Sequence, residues 1–291
     1  MAFQHTIKKL KYKFFWGLCL CLLFIVSYFN WKYEIVAIHP CGNDGEHSFK
    51  ILTWNIHCSA KVDNVSQKEI AELILKEDAD FIQLNEFTID SCLVVDSILS
   101  VYYLYKEGVN AKGPSGDIFY SKRPFSESGK FYADFPNAIY SKLCVDKDSL
   151  YILGCHLVGN NSEGQIEIND ADSLRRVKTF WEHYRNAQEK RKENAHFLKK
   201  AVQESALAMI VMGDMNDFNH SAPMDSLRDA GMKNAWWEGG FGYGATYHEG
   251  WLRLRIDHIY YNDKLKLKDV KVIDTDLSDH NILVACFKFA N

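Results

Sequence analysis

The sequence predicts an α/β domain whose sheets are covered by helices, carried behind one apolar N-terminal helix. Three observations lead there. From residue 48 onward, short apolar strand-like runs alternate with helical stretches. Residues 14–31 carry no charged side chain. Polar residues that seldom occupy cores recur where the apolar runs end, the places where a rigid scaffold presents reactive groups.

The apolar run comes first. Lys8, Lys9, Lys11 and Lys13 precede it, and only Lys32 follows closely. About 20 apolar residues cross a bilayer, and Trp16, Tyr28, Trp31 and Tyr33 suit its two interfaces. The lysine asymmetry predicts the N-terminus inside and the rest of the chain extracytoplasmic. A cleaved signal peptide is the alternative, but Val26-Ser27-Tyr28-Phe29-Asn30 is too bulky for a cleavage site. The expected division is 1–34 as cytoplasmic N-terminus and transmembrane anchor, 35–47 as linker, and 48–291 as the folded domain.

Charge and cysteines bound the rest. The whole chain carries −4; without residues 1–34, 29 basic residues face 37 acidic ones, a formal −8. Such a domain is a poor general binder of duplex nucleic acid, whose affinity comes from neutralising phosphates. The six cysteines beyond the anchor lack C-x-x-C metal spacing. An oxidising compartment would pair some of them, though the spacing names no pair. Cys155 and Cys286 read as buried thiols in strands.

The elements follow in order. Phe49–Asn55 reads as a strand. Ser66 with Glu69 forms a capping box for a helix bearing Ile70, Leu73 and Ile74. Phe81–Leu84, Asp117–Tyr120 and Leu150–Cys155 read as strands. Residues 171–205 form the longest helix, its charge run a solvated face and Val177, Phe180, Tyr184, Ala195, Leu198 and Val202 its core side. Ala208–Met212, Ile256–Tyr261 and Ile282–Phe289 complete the strands.

Asn55, Glu86, His156, Asp214 and Asn216, and Asp257 each fall at the end of an apolar run, and Asp279-His280 precedes the last strand. Any one alone suits a turn; together they suit phosphoester hydrolysis. Glu86 and Asp279 offer the hard oxygen ligands that Mg²⁺ prefers. Asp214 suits orienting a water, Asn216 a bond to a phosphate oxygen, and His156 and His280 suit charge developing at phosphorus. Asp257 is the expected partner of His280.

These residues resemble the endonuclease/exonuclease/phosphatase superfamily, which includes pancreatic-type deoxyribonucleases, abasic-site endonucleases, neutral sphingomyelinases and inositol-polyphosphate 5-phosphatases. The resemblance covers roughly residues 48–289. It is carried by Thr53-Trp54-Asn55, Leu84-Asn85-Glu86, Gly154-Cys155-His156-Leu157, Gly213-Asp214-Met215-Asn216, Arg255-Ile256-Asp257 and Ser278-Asp279-His280. It implies a four-layer sandwich of two mixed β-sheets flanked by helices. It also implies a Mg²⁺ or Mn²⁺ ion at Asn55, Glu86 and Asp279, and catalytic roles for His156, Asp214, Asn216, Asp257 and His280. Arg191 with Ala195 resembles the helix that precedes the Gly-Asp-x-Asn strand. His57 and Asn281 depart from the pattern and weaken a nuclease assignment.

Two segments suit substrate contact. Tyr120-Ser121-Lys122-Arg123-Pro124 resembles the family's Ser-Lys/Arg-Tyr-Pro segment, so Lys122 and Arg123 are expected to face phosphate. Phe241 and Tyr243, between glycines, suit a mobile rim. The expected activity is metal-dependent hydrolysis of a phosphoester whose identity the motifs leave open. A nuclease and an inactive binding module on the same fold are the alternatives.

Overall fold

The computed structural model describes residues 2–38, 48–57, 64–109, 116–132, 135–159, 173–249 and 252–290. Cys41, Cys58 and Trp251, and the side chains of Lys8–Lys13, Val177 and Phe180, lie outside the described set. The chain forms two compact units, Met1–Val36 and Ala37–Asn291.

The first unit is one helix, Ala2–Tyr33. Its segment Phe15–Lys32 is long and apolar enough to cross a membrane, and its side chains are almost all exposed. Asn30 exchanges two hydrogen bonds with the backbone of Val36, at 3.0 and 2.7 Å.

The second unit is built on two six-stranded sheets. One runs in the order Leu265–Ile273, Ile282–Phe289, Phe49–Asn55, Phe81–Asn85, Asp117–Ser121, Tyr105–Val109. The other runs Lys233–Asn234, Asp257–Tyr261, Ala208–Asp214, Asp148–Cys155, Phe135–Val145, Phe125–Tyr132. Each sheet has one parallel pair at its centre, Phe49–Asn55 with Phe81–Asn85 and Asp148–Cys155 with Ala208–Asp214. Every other pairing in the two sheets is antiparallel. A parallel return needs a crossover; helices Asn64–Glu77 and Ser173–Glu204 lie in those two connections.

The alternation of side chains along each strand assigns the layers. Ile51, Phe81, Phe119 and Phe287 meet Ile152, Ile210, Met212 and Ile259 between the sheets. On the outer face of the first sheet, Leu52, Trp54 and Leu84 pack on Ile70, Ile74, Val95 and Leu99 of helices Asn64–Glu77 and Leu93–Tyr102. On the outer face of the second, Leu153, Met209 and Val211 pack on Leu198 and Val202, with Met224 and Leu227 of helix Ala222–Asp229. This is the expected four-layer sandwich. Central strands buried on both faces read as continuous apolar runs, which is why they were legible.

Several local expectations change. The helix begins at Asn64, so Ser66 lies inside its first turn rather than just before it. Strands Tyr105–Val109, Phe125–Tyr132, Phe135–Val145 and Leu265–Ile273 add to those predicted; all but Phe135–Val145 are edges of their sheets and carry lysines, which protect an open edge. Residues 35–47 are not linker throughout, because Ala37 is fully buried in the inter-sheet core and Ala37–Ile38 pairs with Phe241–Gly242. Cys155 is buried as expected, Cys286 only partly. Cys92 is disulfide-bonded.

Candidate active site

Four strand ends converge because both parallel pairs finish at the same edge of the sandwich. Asn55, Asn85-Glu86, Cys155-His156 and Asp214 emerge there. The sheets are tied beneath them by Gln83, whose amide, oriented by its neighbours, donates to Met212 O (2.9 Å) and accepts from Cys155 N and Asn85 Nδ2 (both 3.1 Å). Gly213 adopts φ 127°, and a Cβ there would strike Cys155 O. Only glycine permits that turn, which directs Asp214 into the site. Glu86 and Asn216 follow at positive φ, 52° and 51°.

Asp214 is the hub. Its Oδ2 accepts from Asn55 Nδ2 at 3.1 Å and faces His156 Nε2 and His280 Nε2, each at 3.7 Å. Its Oδ1 accepts from Asn216 N at 2.8 Å, and its own N–H donates to Asn85 Oδ1 at 3.1 Å. His280 Nδ1 lies 2.8 Å from Asp257 Oδ2. Burial opposes a charge on His280, but Asp257 and Asp214 outweigh it and push the imidazole up to about 10. His156 is likewise raised: burial acts against its charge, and Asp214, Asp117 and Glu86 overcome it. Two imidazoles, both raised by the surrounding carboxylates, therefore flank one carboxylate.

Asp257 is positioned by Thr246, whose Oγ1 accepts from Ile256 N (3.1 Å) and Asp257 N (2.9 Å). Ser278 bonds Asn55 O (2.8 Å) and accepts from His280 N (3.1 Å), and Trp54 Nε1 donates to His280 O (2.8 Å). The Ser-Asp-His loop is thus strapped to the Thr-Trp-Asn strand. The Tyr247 ring stacks edge-on to His280 at 5.0 Å between centroids.

Glu86 and Asp279 stand at the open side, half-exposed, and both face His57 Nδ1, at 3.1 and 4.0 Å. Burial pushes the Glu86 carboxyl up, but bonds from His57 and Asn55, with His156 nearby, bring it down to about 2. Asn55 Nδ2 reaches Glu86 Oε1 at 3.0 Å. Two carboxylates that converge on one imidazole nitrogen, beside an amide, form a hard-oxygen set that fits Mg²⁺ or Mn²⁺. Asp214, Asp257 and His280 also offer ligand atoms within 4.8 Å of one another. There, however, the His280 and Asp257 atoms are already joined by a hydrogen bond.

One partner escaped the sequence. Asp117 is buried, and its Oδ1 lies 4.0 Å from His156 Nδ1 and accepts from Asn85 Nδ2 at 2.6 Å. Asp117 Oδ2 and His156 Nδ1 are both buried without a hydrogen bond. Burial raises Asp117 to about 6 against the pull of His156. Each imidazole at Asp214 therefore has a carboxylate behind it.

Other expectations land elsewhere. Asn216 Nδ2 donates to Leu157 O at 2.9 Å, holding the loop that follows His156. Arg191 and Ala195 are fully buried; Arg191 Nε donates to Val158 O at 2.7 Å, with Nη1 3.5 Å from Asp217. Lys122 pairs with Asp78 and Arg123 with Asp146. They follow Ser121, which pairs with Phe81 at the end of the sheet away from Asn85. They are not brought to Asp214. Nor is Phe241, which sits opposite Ile38, or Tyr243, whose hydroxyl donates to Arg253 O at 3.3 Å. The glycines around them are not there for mobility: a Cβ at Gly240 or Gly244 would strike the Trp236 ring, whose Nε1 donates to Gly242 O at 3.2 Å. Asn281 bonds Ala245 O and the Thr275 backbone N–H.

The profile of the endonuclease/exonuclease/phosphatase family matches residues 52–280, and the chain belongs to that family. Its members are metal-dependent phosphoester hydrolases. Among solved structures, the fold is similar to a humanized TDP2 of D. rerio (17% identity, TM-score 0.63, covering 84% of this chain and 100% of that one). It is also similar to the human Nocturnin catalytic domain with bound sulfate (18%, 0.61, 84% and 94%). A family protein from Bacteroides thetaiotaomicron is similar too (15%, 0.63, 84% and 98%). Curated protein sequences give no significant match.

Proposed function

We propose that the chain hydrolyses a phosphoester by attack of water on phosphorus, as a Mg²⁺- or Mn²⁺-dependent phosphodiesterase or phosphatase. The observation that carries this reading is the convergence of Asn55, His156 and His280 on the Asp214 carboxylate at 3.1, 3.7 and 3.7 Å. Asp214 accepts a proton from the attacking water and orients it. His280, with Asp257 behind it, and His156, with Asp117 behind it, donate to phosphate oxygens as negative charge grows. Asn216 fixes the Asp214 carboxylate through its backbone N–H, and its amide holds the loop after His156 through Leu157 O. Glu86, Asp279 and Asn55 would hold the cation, which when bound stabilises the leaving oxygen.

We infer further that residues 1–34 form a cytoplasmic N-terminus and a single-pass anchor, with the catalytic unit extracytoplasmic. The apolar helix and its lysines support this, and so does the Cys92 disulfide, a bond of oxidising compartments. The nuclease reading keeps one support: a TDP2 structure of the same fold was solved with a single-strand DNA product (15% identity, TM-score 0.61). The acidic domain argues against duplex substrates.

The test is hydrolysis of bis-p-nitrophenyl phosphate, single-stranded DNA and phospholipid by the full chain in detergent, with Mg²⁺ or excess EDTA. Full activity in EDTA, or an active Asp214→Asn variant, overturns the proposal.

A further inference from the structure

We propose that the ribbon of Ala37–Ile38 and Phe241–Gly242 is a lipid-contacting wedge that seats in the interfacial region of the bilayer. The proposal rests on the membrane anchor proposed above and is independent of the reaction.

Ile38 and Phe241 are directly opposed in an antiparallel pair, so their side chains project from the same face. They are 62% and 75% exposed, and Phe241 is the most exposed large apolar side chain among the described residues. The other face of the ribbon is fixed. Ala37 is fully buried in the inter-sheet core, and Gly242 O accepts from Trp236 Nε1. The wedge is therefore held out by a rigid base and cannot fold its apolar face inward.

Single exposed apolar residues are ordinary on soluble proteins. What distinguishes this pair is its tether. The helix ends at Tyr33 and the ribbon begins at Ala37. Four residues of chain reach at most about 14 Å. If Phe15–Lys32 spans a bilayer, covalent geometry alone keeps Ile38, and with it Phe241, at the membrane surface. A phenylalanine and an isoleucine side by side suit shallow burial at the boundary of headgroups and acyl chains.

The wedge also leads to the active site. Thr246, which holds Asp257, is five residues beyond Phe241, and Tyr247 stacks on His280.

The experiment uses the full chain in phosphatidylcholine vesicles containing an alkyne-tagged phosphatidylcholine. Photoreactive p-benzoylphenylalanine replaces Phe241, Ile38 or, as a control, Leu104, which is 73% exposed but lies far from the anchor in sequence. Lipid adducts at 241 and 38 at least ~10-fold above those at 104 are expected of a specific interfacial contact. Equal yields at the three positions, or no adduct at 241, would overturn it. Carbonate extraction of the same vesicles tests the anchor separately. Release of the protein would remove the tether and the proposal with it, while leaving the hydrolase reading intact.

Discussion

His280 stands between two carboxylates, its Nδ1 2.8 Å from Asp257 and its Nε2 3.7 Å from Asp214. The first contact fixes which nitrogen faces the pocket, so Asp257 acts through His280. Asp257→Asn and His280→Ala should each lower kcat by about 10²–10³-fold, the scale of losing one positioned donor. The double variant should lose little more. Losses that multiply would show the two residues working independently.

Glu86 tests the cation. Glu86→Gln keeps the volume and the bond from Asn55 but removes the charge that Asn55 and His57 stabilise. Activity should fall at least about 100-fold, while the far-ultraviolet circular dichroism spectrum stays that of the parent. Normal activity at unchanged Mg²⁺ would remove Glu86 from the site.

Asp117 should show opposite effects on stability and activity. Its folded pKa of about 6 lies above the ordinary carboxylate value. Above pH 4 the unfolded chain ionises more readily, so this carboxyl destabilises the fold progressively as pH rises toward 6, by up to ~3 kcal/mol. Asp117→Asn should therefore raise Tm at pH 8 and lower kcat, because His156 loses its partner. A variant both less stable and fully active would refute both halves.

His258 predicts the acid side. Trp237 N donates to Asn234 Oδ1, so the Asn234 amide nitrogen faces His258 Nδ1 at 3.1 Å, while His258 Nε2–H donates to Asp217 O at 2.9 Å. No acceptor is left for a second ring proton. Burial, with Arg255 and Arg228 nearby, brings the group down to about 3. Between pH 6.5 and 3 the unfolded chain binds a proton that the fold refuses, so stability falls as pH falls, by at most ~5 kcal/mol. His258→Gln should flatten the slope of Tm against pH in that window. An unchanged slope would place the acid sensitivity elsewhere.

Asn55, Glu86, His156 and Asp214 were legible because each ends a continuous apolar run, and parallel strands finish at a common edge. Asp257 and His280, at the start of antiparallel strands, were legible through their motifs. Asp117 was not, because its strand runs antiparallel to Phe81–Asn85. Its beginning therefore meets the site, and a reading that looks only at strand ends passes over it. The same reversal carries Lys122 and Arg123 to the far edge. Asn85 was visible only as a variation within a motif. Its two-way link between Asp117 and Asp214 depends on contacts across the sheets, which sequence order does not encode.

The close approach of the sheets at Gly154 has its own consequence. A Cβ there would strike the Phe119 ring, so the absent methyl group sets how near one sheet lies to the other. Asn55 and Glu86 ride on one sheet, His156 and Asp214 on the other. The proposed reaction centre is thus a seam, and on that reading turnover would report whether the seam is shut. Gly154→Ala, with no chemical group near phosphate, would act as a spacer and silence the enzyme while each half kept its own strands and helices.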